Sequence, residues 1–175
     1  MIRKATERDI QRVTEIYERT INAKDAASTV GWISGIYPTR ETAEEALKKG
    51  TLFVLESDGE VTATAKIDGE QVYEYRFADW QFKDIPDDKI LVLHTLAVDP
   101  IYKGRGAGTE FVKFYEECAK KLSRLYLRMD TNATNLPARA FYKKRGYREA
   151  GIVKCDFHGI KGVNLVCLEK SLVGE

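Results

Sequence analysis

Cysteine is scarce in this chain, with only Cys118, Cys155 and Cys167 among 175 residues. An odd number of cysteines without close pairs predicts neither a disulfide framework nor a thiolate metal site, so we expect free thiols and no metal. Long apolar runs are also missing. No stretch approaches the roughly 18 residues of a membrane span, and "MIRKATERDI" has no signal-peptide core. We therefore expect a cytoplasmic protein without a membrane partner.

An excess of charge of either sign is absent as well. The 28 lysine and arginine residues nearly balance the 27 aspartate and glutamate residues, which leaves a formal net charge of +1. Because no overall basic charge attracts polyanions, we expect no nucleic acid as a partner. The length fits a single domain over residues 1–175, since one domain commonly takes about 150 residues. Whether the protein forms a homodimer stays open.

The first fifty residues predict two helices separated by an aromatic loop. A short strand, "IRKAT", comes first. Thr6 and Asp9 then have the spacing of a capping box ahead of apolar residues at helical intervals, and a second helical stretch ends at Gly50. Between the helices, small residues interrupt the pattern around Trp32 and Tyr37, which predicts a structured loop.

Strand patterns dominate residues 51–98. Asp58-Gly59 is a favoured tight turn and joins "TLFVLES" to "VTATAKI" as a hairpin. A second turn at Asp68-Gly69 leads into "QVYEYRF", whose alternation predicts a further strand. The run "ILVLHTLAV", residues 90 to 98, is almost continuously apolar, as expected for a central strand buried on both faces.

The remaining residues alternate between helical and extended patterns. Helices are predicted at "TEFVKFYEECAKKL" and "NLPARAFYKKRG", and strands at "RLYLRMD", "YREAGIVKC" and "GVNLVCLEK". This order predicts an α/β (α+β) fold with a mixed, mostly antiparallel central sheet flanked by helices.

Three glycines, Gly104, Gly106 and Gly108, stand at alternate positions between the apolar strand and a helix. Each glycine costs conformational entropy that ordinary packing does not justify, so we expect that some group must approach the backbone closely here. Amides at a helix N-terminus bind anions, and glycine lets a phosphate approach them closely. The spacing fits neither a P-loop nor a GxGxxG fingerprint. The glycines alone leave open both an anion site and a tight connection.

Two sequence motifs, one after the other along the chain, help to interpret these glycines. Residues 103–108 match the pattern Q/R-x-x-G-x-G/A, with lysine in place of the first Gln or Arg. Residues 135–147 match N-x-x-A-x-x-F/L-Y-x-x-x-G-F/Y. Over residues 90–150 the chain therefore resembles the GNAT superfamily of acetyl-CoA-dependent N-acetyltransferases, and the preceding helices and hairpin follow that family's order.

The resemblance implies that acetyl-CoA is the co-substrate and that a GNAT-like fold binds it. Its pyrophosphate is expected on the glycine loop, and its amide-bearing arm along a strand whose backbone a bulge sets free. The residues implied in cofactor binding are Leu96, Ala97, Val98, Lys103, Gly104, Arg105, Gly106, Ala107, Gly108, Thr109, Asn135 and Tyr142.

Acetylation of an amine requires a base for the amine proton and an acid for the departing thiolate. Tyr142 matches the family's acid, because a phenol stays protonated at neutral pH, although simple packing is an alternative role. His94 is our candidate base, since it lies in an apolar strand and histidine changes charge near neutral pH. The stretch "LHTLAV" also resembles the arylalkylamine branch, where a matching histidine is proposed to relay the proton. A structural histidine bonded to a carbonyl is the competing interpretation.

Aromatic side chains indicate where an acceptor binds. Trp32, Tyr37 and Trp80 fall in segments that build the acceptor cleft of this fold, which favours an apolar or aromatic amine. Asp130 ends a strand and either binds an amine or, more simply, caps the following turn. His158 lies in a loop and is expected to be an ordinary surface residue.

The expected reaction is transfer of the acetyl group from acetyl-CoA to a primary amine of a small molecule. It would proceed by direct attack on the thioester in a ternary complex. Two alternatives stay open, a non-catalytic acyl-CoA-binding module and a protein or peptide N-acetyltransferase. Nothing in the sequence selects the acceptor.

Overall fold

A computed structural model describes residues 1–174 of the chain. Within this range the strands are β1 (Ile2–Lys4), β2 (Leu52–Ser57), β3 (Glu60–Asp68), β4 (Ile90–Val98), β5 (Tyr126–Asn132), β6 (Arg148–Phe157) and β7 (Ile160–Ser171). The α-helices are α1 (Ile10–Ile21), α2 (Arg40–Lys48), α3 (Ala107–Leu122) and α4 (Leu136–Lys143). No helix in the described part of the chain is long and apolar enough to cross a membrane.

The strands form one sheet in the order β1-β2-β3-β4-β5-β7-β6. Strands β4 and β5 run parallel, whereas every other neighbouring pair is antiparallel. The helix α3 makes the crossover between β4 and β5, as a parallel pair requires. The prediction of a mixed, mostly antiparallel sheet flanked by helices is confirmed.

Alternate residues of β4 face two different cores. Leu91 and Leu93 pack in a cluster with apolar residues of α3 and α4. Ile90 and Val92 point the other way, into a cluster that includes residues of the segment 69–89. On that same side of the molecule, α1 and α2 share a third cluster with the hairpin β2–β3. The sheet is therefore covered on both faces, as the apolar run predicts.

One predicted helix cap and one predicted hairpin turn are confirmed in the structure. The side chain of Asp9 accepts a 2.7 Å hydrogen bond from the amide of Thr6, ahead of α1. Asp58 and Gly59 have φ angles of 53° and 79°. Positive φ at both central residues is what a tight type I′ hairpin turn requires.

The strand predicted at "QVYEYRF" is wrong, because Tyr73–Phe77 is a 3-10 helix. Strand β3 lies between β2 and β4, so neither of its edges is free to pair with this segment. The segment 69–89 instead crosses one face of the sheet. There the indole of Trp80 donates a 2.7 Å hydrogen bond to the carbonyl of Tyr75, and both side chains are buried.

Asp99 ties the end of β4 to α1. Its side chain is fully buried and accepts hydrogen bonds of 2.5 Å from Arg12 and 2.8 Å from Arg19. Its other oxygen accepts a 3.0 Å bond from the amide of Ile101, at the start of the next loop. Burial raises the pKa of Asp99, but the bonds from Ile101 and the arginines outweigh it and lower the pKa overall.

We expect Asp99→Asn to lower the free energy of unfolding by about 3 kcal/mol, because two arginines lose their buried anionic partner. The matched control is Glu15→Gln. Glu15 pairs with the same Arg12 at 3.5 Å but is exposed, so its loss should cost less than about 0.5 kcal/mol. Urea denaturation of both variants measures the difference, and equal losses would contradict the anchoring role of Asp99.

Candidate active site

The site begins where β4 separates from β5. Their parallel pairing ends at Leu93 and Met129. Just beyond, Thr95 has a φ of 51°, and the register with β3 shifts between Thr64 and Lys66, which marks a β-bulge. Residues 96 to 98 thus have no recorded pairing with β5 in the described sheet. The bulge implied by the family resemblance is present at the expected strand.

A cleft of about 660 Å³ runs from this free strand edge to the glycine loop, and we call it the glycine-loop cleft. Most of the predicted cofactor residues line it: Leu96, Ala97, Val98, Lys103, Gly104, Gly106, Ala107, Gly108, Thr109, Asn135 and Tyr142. Arg105 is the one predicted cofactor residue that is not among the described residues lining this cleft. Its guanidinium lies 5.2 Å from the ring of Tyr102 instead, so the structure does not bring Arg105 into the cleft.

The glycine loop has the geometry of an anion site. Gly104 and Gly106 have φ angles of 83° and 90°, in the left-handed region that side chains disfavour. Gly106 is the N-cap of α3, a helix of 16 residues, so the amides of its first turn and the helix dipole face the cleft. The exposed ammonium of Lys103 lies 3.5 Å from the carboxylate of Asp25, which lines the same cleft and offsets its charge until an anion binds.

Arg145 is a cleft residue that the sequence reasoning missed. Its guanidinium donates to the hydroxyl of Thr109 and lies 3.5 Å from the centre of the Phe141 ring. It occupies one of the variable positions between Tyr142 and Gly146 in the second motif. Because the motif does not specify that position, only the folded arrangement of α3 and α4 shows that Arg145 lines the cleft.

A small cavity of about 110 Å³, the central cavity, adjoins the glycine-loop cleft and shares Leu96, Asn135 and Tyr142 with it. Toward α2 the central cavity shares Tyr37, His94 and Thr95 with a further cleft of about 440 Å³, the α2 cleft. The two clefts thus approach the central cavity from different sides, and the two predicted catalytic residues both line it.

Tyr142 reaches the central cavity from α4. Asn135 caps this helix by accepting a 3.3 Å hydrogen bond from the amide of Ala138. The tyrosine is buried, and its burial, together with the nearby Asp130, raises the pKa of its hydroxyl. The hydroxyl therefore stays protonated at neutral pH, as an acid requires.

His94 reaches the cavity from β4, with a carboxylate and a carbonyl behind it. Its Nε2 lies 3.0 Å from the carbonyl of Glu70 and 3.2 Å from Oδ1 of Asp68. A carbonyl oxygen only accepts, so Nε2 carries the hydrogen and Nδ1 holds the lone pair of the neutral ring. Burial raises the pKa of Asp68, but bonds from His94 and Lys66 outweigh it and lower the pKa to about 2. Asp68 is therefore a carboxylate that holds the imidazole in place.

Two of the three predicted acceptor residues meet at the central cavity. Tyr37 is buried, and its hydroxyl forms a hydrogen bond with that of Thr95. Trp32 stands edge-on to Tyr37, with ring centres 6.2 Å apart. His158 is exposed, as expected, yet its ring stacks on Tyr37 at 4.1 Å and lines the α2 cleft.

The structure places Trp80, the third predicted acceptor residue, elsewhere. Trp80 is buried under the segment 69–89, and the guanidinium of Arg128 lies 4.3 Å from its ring centre. Among the described residues, the linings of the central cavity and of its two adjoining clefts do not include it. The misplacement has the same origin as the wrong strand, because the segment forms a 3-10 helix, not a strand, and buries Trp80 beside Tyr75.

The structure does not give Asp130 the simpler of its two predicted roles, that of a turn cap. It does not cap the turn after β5, since Asn132 accepts the 3.1 Å bond from the amide of Thr134 there. The Asp130 carboxylate instead accepts a 2.8 Å hydrogen bond from the hydroxyl of Tyr75 and lines the central cavity.

Comparison with known proteins shows which protein family the chain belongs to. A sequence model of the acetyltransferase (GNAT) family matches residues 10–147, and the chain belongs to that family. An uncharacterized N-acetyltransferase of Methanocaldococcus jannaschii is 34% identical over 71 residues. That alignment covers 41% of this chain and only 31% of the archaeal protein, so the chain spans about a third of that relative.

Solved structures share the whole fold. A GNAT-family acetyltransferase of Streptococcus agalactiae aligns with a TM-score of 0.82 at 22% identity, over 98% of this chain and 94% of the other. YncA of Salmonella typhimurium, whose structure contains its cofactor acetyl-CoA, aligns with a TM-score of 0.69 at 16% identity, over 98% and 93%. The protein thus belongs to the GNAT family by sequence and shares the fold of these solved structures.

We expect Gly106→Val to weaken coenzyme A binding at least 100-fold in calorimetry, because a side chain forces the loop out of its left-handed geometry. The matched control is Gly59→Val in the hairpin turn. Gly59 also has positive φ and open space around an added side chain, so the backbone strain is similar. Unchanged affinity in Gly106→Val would indicate that the glycine loop only connects β4 to α3 and does not bind coenzyme A.

Proposed function

We propose that the protein transfers the acetyl group of acetyl-CoA to a primary amine of a small molecule. The observation that carries the proposal is the central cavity, where His94 and Tyr142 meet between two separate clefts. One cleft suits a long, anionic donor and the other an acceptor. Direct attack in a ternary complex then needs no covalent enzyme intermediate, since both ligands reach one cavity.

The glycine-loop cleft fits acetyl-CoA by the chemistry of its lining. The first-turn amides of α3, with Lys103, would hold the pyrophosphate, because they combine backbone donors with positive charge. The strand edge at residues 96 to 98 would pair with the amide-bearing arm as an added strand. When bound, acetyl-CoA supplies an acetyl group activated as a thioester.

Two side chains supply the proton chemistry. His94 accepts a proton from the acceptor amine at Nδ1, the nitrogen not bonded to Glu70. Asp68 then faces a cationic imidazole, which its carboxylate stabilises. Tyr142 donates its hydroxyl hydrogen toward the departing sulfur, and its buried position keeps that hydrogen in place.

We expect Tyr142→Phe and His94→Gln each to lower kcat about 100-fold, the order of magnitude that positioned acids and bases contribute. The KM for acetyl-CoA should change less than about threefold, because phenylalanine keeps the ring that lines the glycine-loop cleft and His94 lies outside that cleft. Tyr73→Phe is the matched control, since it removes the same hydroxyl from an exposed ring outside the cavity.

Full turnover in both cavity variants would overturn the assigned roles. Tight coenzyme A binding with no acetylation of any amine or peptide would instead indicate a non-catalytic binding module. Acetylation confined to peptides would indicate a protein N-acetyltransferase. Thiol release, followed with each acceptor present and absent, distinguishes these outcomes.

A further inference from the structure

Asp130 is a carboxylate in the central cavity that the proposed chemistry does not use. It stands on β5, across the gap that opens when β4 departs. The hydroxyl of Tyr75, which is itself buried, donates a 2.8 Å hydrogen bond to Oδ2 of Asp130. This bond orients the carboxylate without neutralising it, because a phenol at neutral pH is uncharged.

Asp130 has no lysine or arginine partner among the described residues of the central cavity. Apart from Asp130, the ionisable side chains among these lining residues are His94 and two tyrosines. Burial raises the pKa of Asp130, and the bond from Tyr75 offsets only part of this effect. A half-buried carboxylate without a counterion is costly, so a cationic ligand would stabilise it.

The rest of the lining is suited to the body of such a ligand. Trp32, Tyr37 and Phe157 contribute aromatic surface, and Leu93 and Leu165 contribute aliphatic surface. Aromatic faces attract cations and pack well on apolar groups. The lining therefore combines one anionic group with an apolar wall.

We propose that Asp130 binds the ammonium group of the acceptor, and that the acceptor is a primary amine with no carboxylate on the carbon that bears the amine. This inference rests on the proposed acetyl transfer and names its substrate class. An α-carboxylate would enter the cavity with the amine, close to Asp130 and without a lysine or arginine in the described lining to pair with it. Repulsion between the two carboxylates excludes α-amino acids.

The size of the cavity sets how much of the acceptor is enclosed. At about 110 Å³ it is smaller than the roughly 150 Å³ cavity that holds one benzene molecule in an engineered protein. Only the amine-bearing end fits inside. The remainder extends past Tyr37 and Thr95 into the α2 cleft, where Lys49 and Lys66 are already paired with Glu70.

Matched acceptor pairs test the substrate class. We would compare 2-phenylethylamine with phenylalanine and 3-methylbutylamine with leucine, since each pair differs only in the α-carboxylate. In the unmodified protein we expect kcat/KM to favour the amine at least 100-fold in both pairs. In Asp130→Asn, the KM for the amines should rise at least tenfold and the preference should shrink to less than tenfold. Tyr75→Phe should give a smaller shift in the same direction.

The KM for acetyl-CoA should be unchanged in Asp130→Asn, which also shows that the variant is folded. Asp58→Asn is the matched control, because it makes the same change on an exposed turn and should alter neither constant. Calorimetry with 2-phenylethylamine in the presence of coenzyme A provides a reading that does not require turnover. There, Asp130→Asn should weaken binding at least tenfold.

The failure of this inference differs from the failure of the proposed function. Preference for the amino acids, or equal amine binding in Asp130→Asn and the unmodified protein, overturns the role of Asp130 while leaving acetyl transfer intact. Absence of transfer to every amine, amino acid and peptide removes the proposed function. In that case the calorimetric comparison decides on Asp130, and no amine binding to the unmodified protein overturns the inference too.

Discussion

The separation of β4 from β5 after Leu93 is the constraint on which the rest of the site depends. A sheet interior normally pairs every backbone group, so a strand that leaves its neighbour exposes amides and carbonyls that need other partners. The bulge at Thr95 turns the strand, and Asp99 fixes its far end to α1. Between these two points the chain holds open a gap that a ligand with its own amides can fill.

The two carboxylates near His94 show how surroundings set the role of identical groups. Asp68 has both an imidazole and an ammonium group as partners, and its pKa falls to about 2. Asp130 is enclosed with a phenol as its hydrogen-bond donor, and its pKa rises. One carboxylate is thus committed to holding a side chain, whereas the other has no lysine or arginine among the described cavity residues and is left to pair with a ligand.

The sequence predicted the parts of the molecule that local patterns determine. The apolar run at residues 90–98 coincides with β4, and the two motifs place the glycine loop and Tyr142 beside one cleft. Asp68 was not recognisable, because its role depends on His94, 26 residues away. Asp130 was left between binding an amine and capping a turn, because its partner Tyr75 lies 55 residues away. The prediction of Trp80 as an acceptor residue was wrong because it also depended on long-range packing. An alternating pattern predicts a strand only where a sheet edge is free, and the sequence does not show which edges are taken.

The two clefts have no lining residue in common within the described chain, although both adjoin the central cavity. A donor lying along the glycine loop therefore leaves the approach beside α2 clear, and an acceptor there leaves the donor's approach clear. On the proposed function, the two substrates can add in either order, and the acetylated product can depart while coenzyme A is still bound. The geometry of a single departing strand thus leaves the order in which the two substrates bind unconstrained.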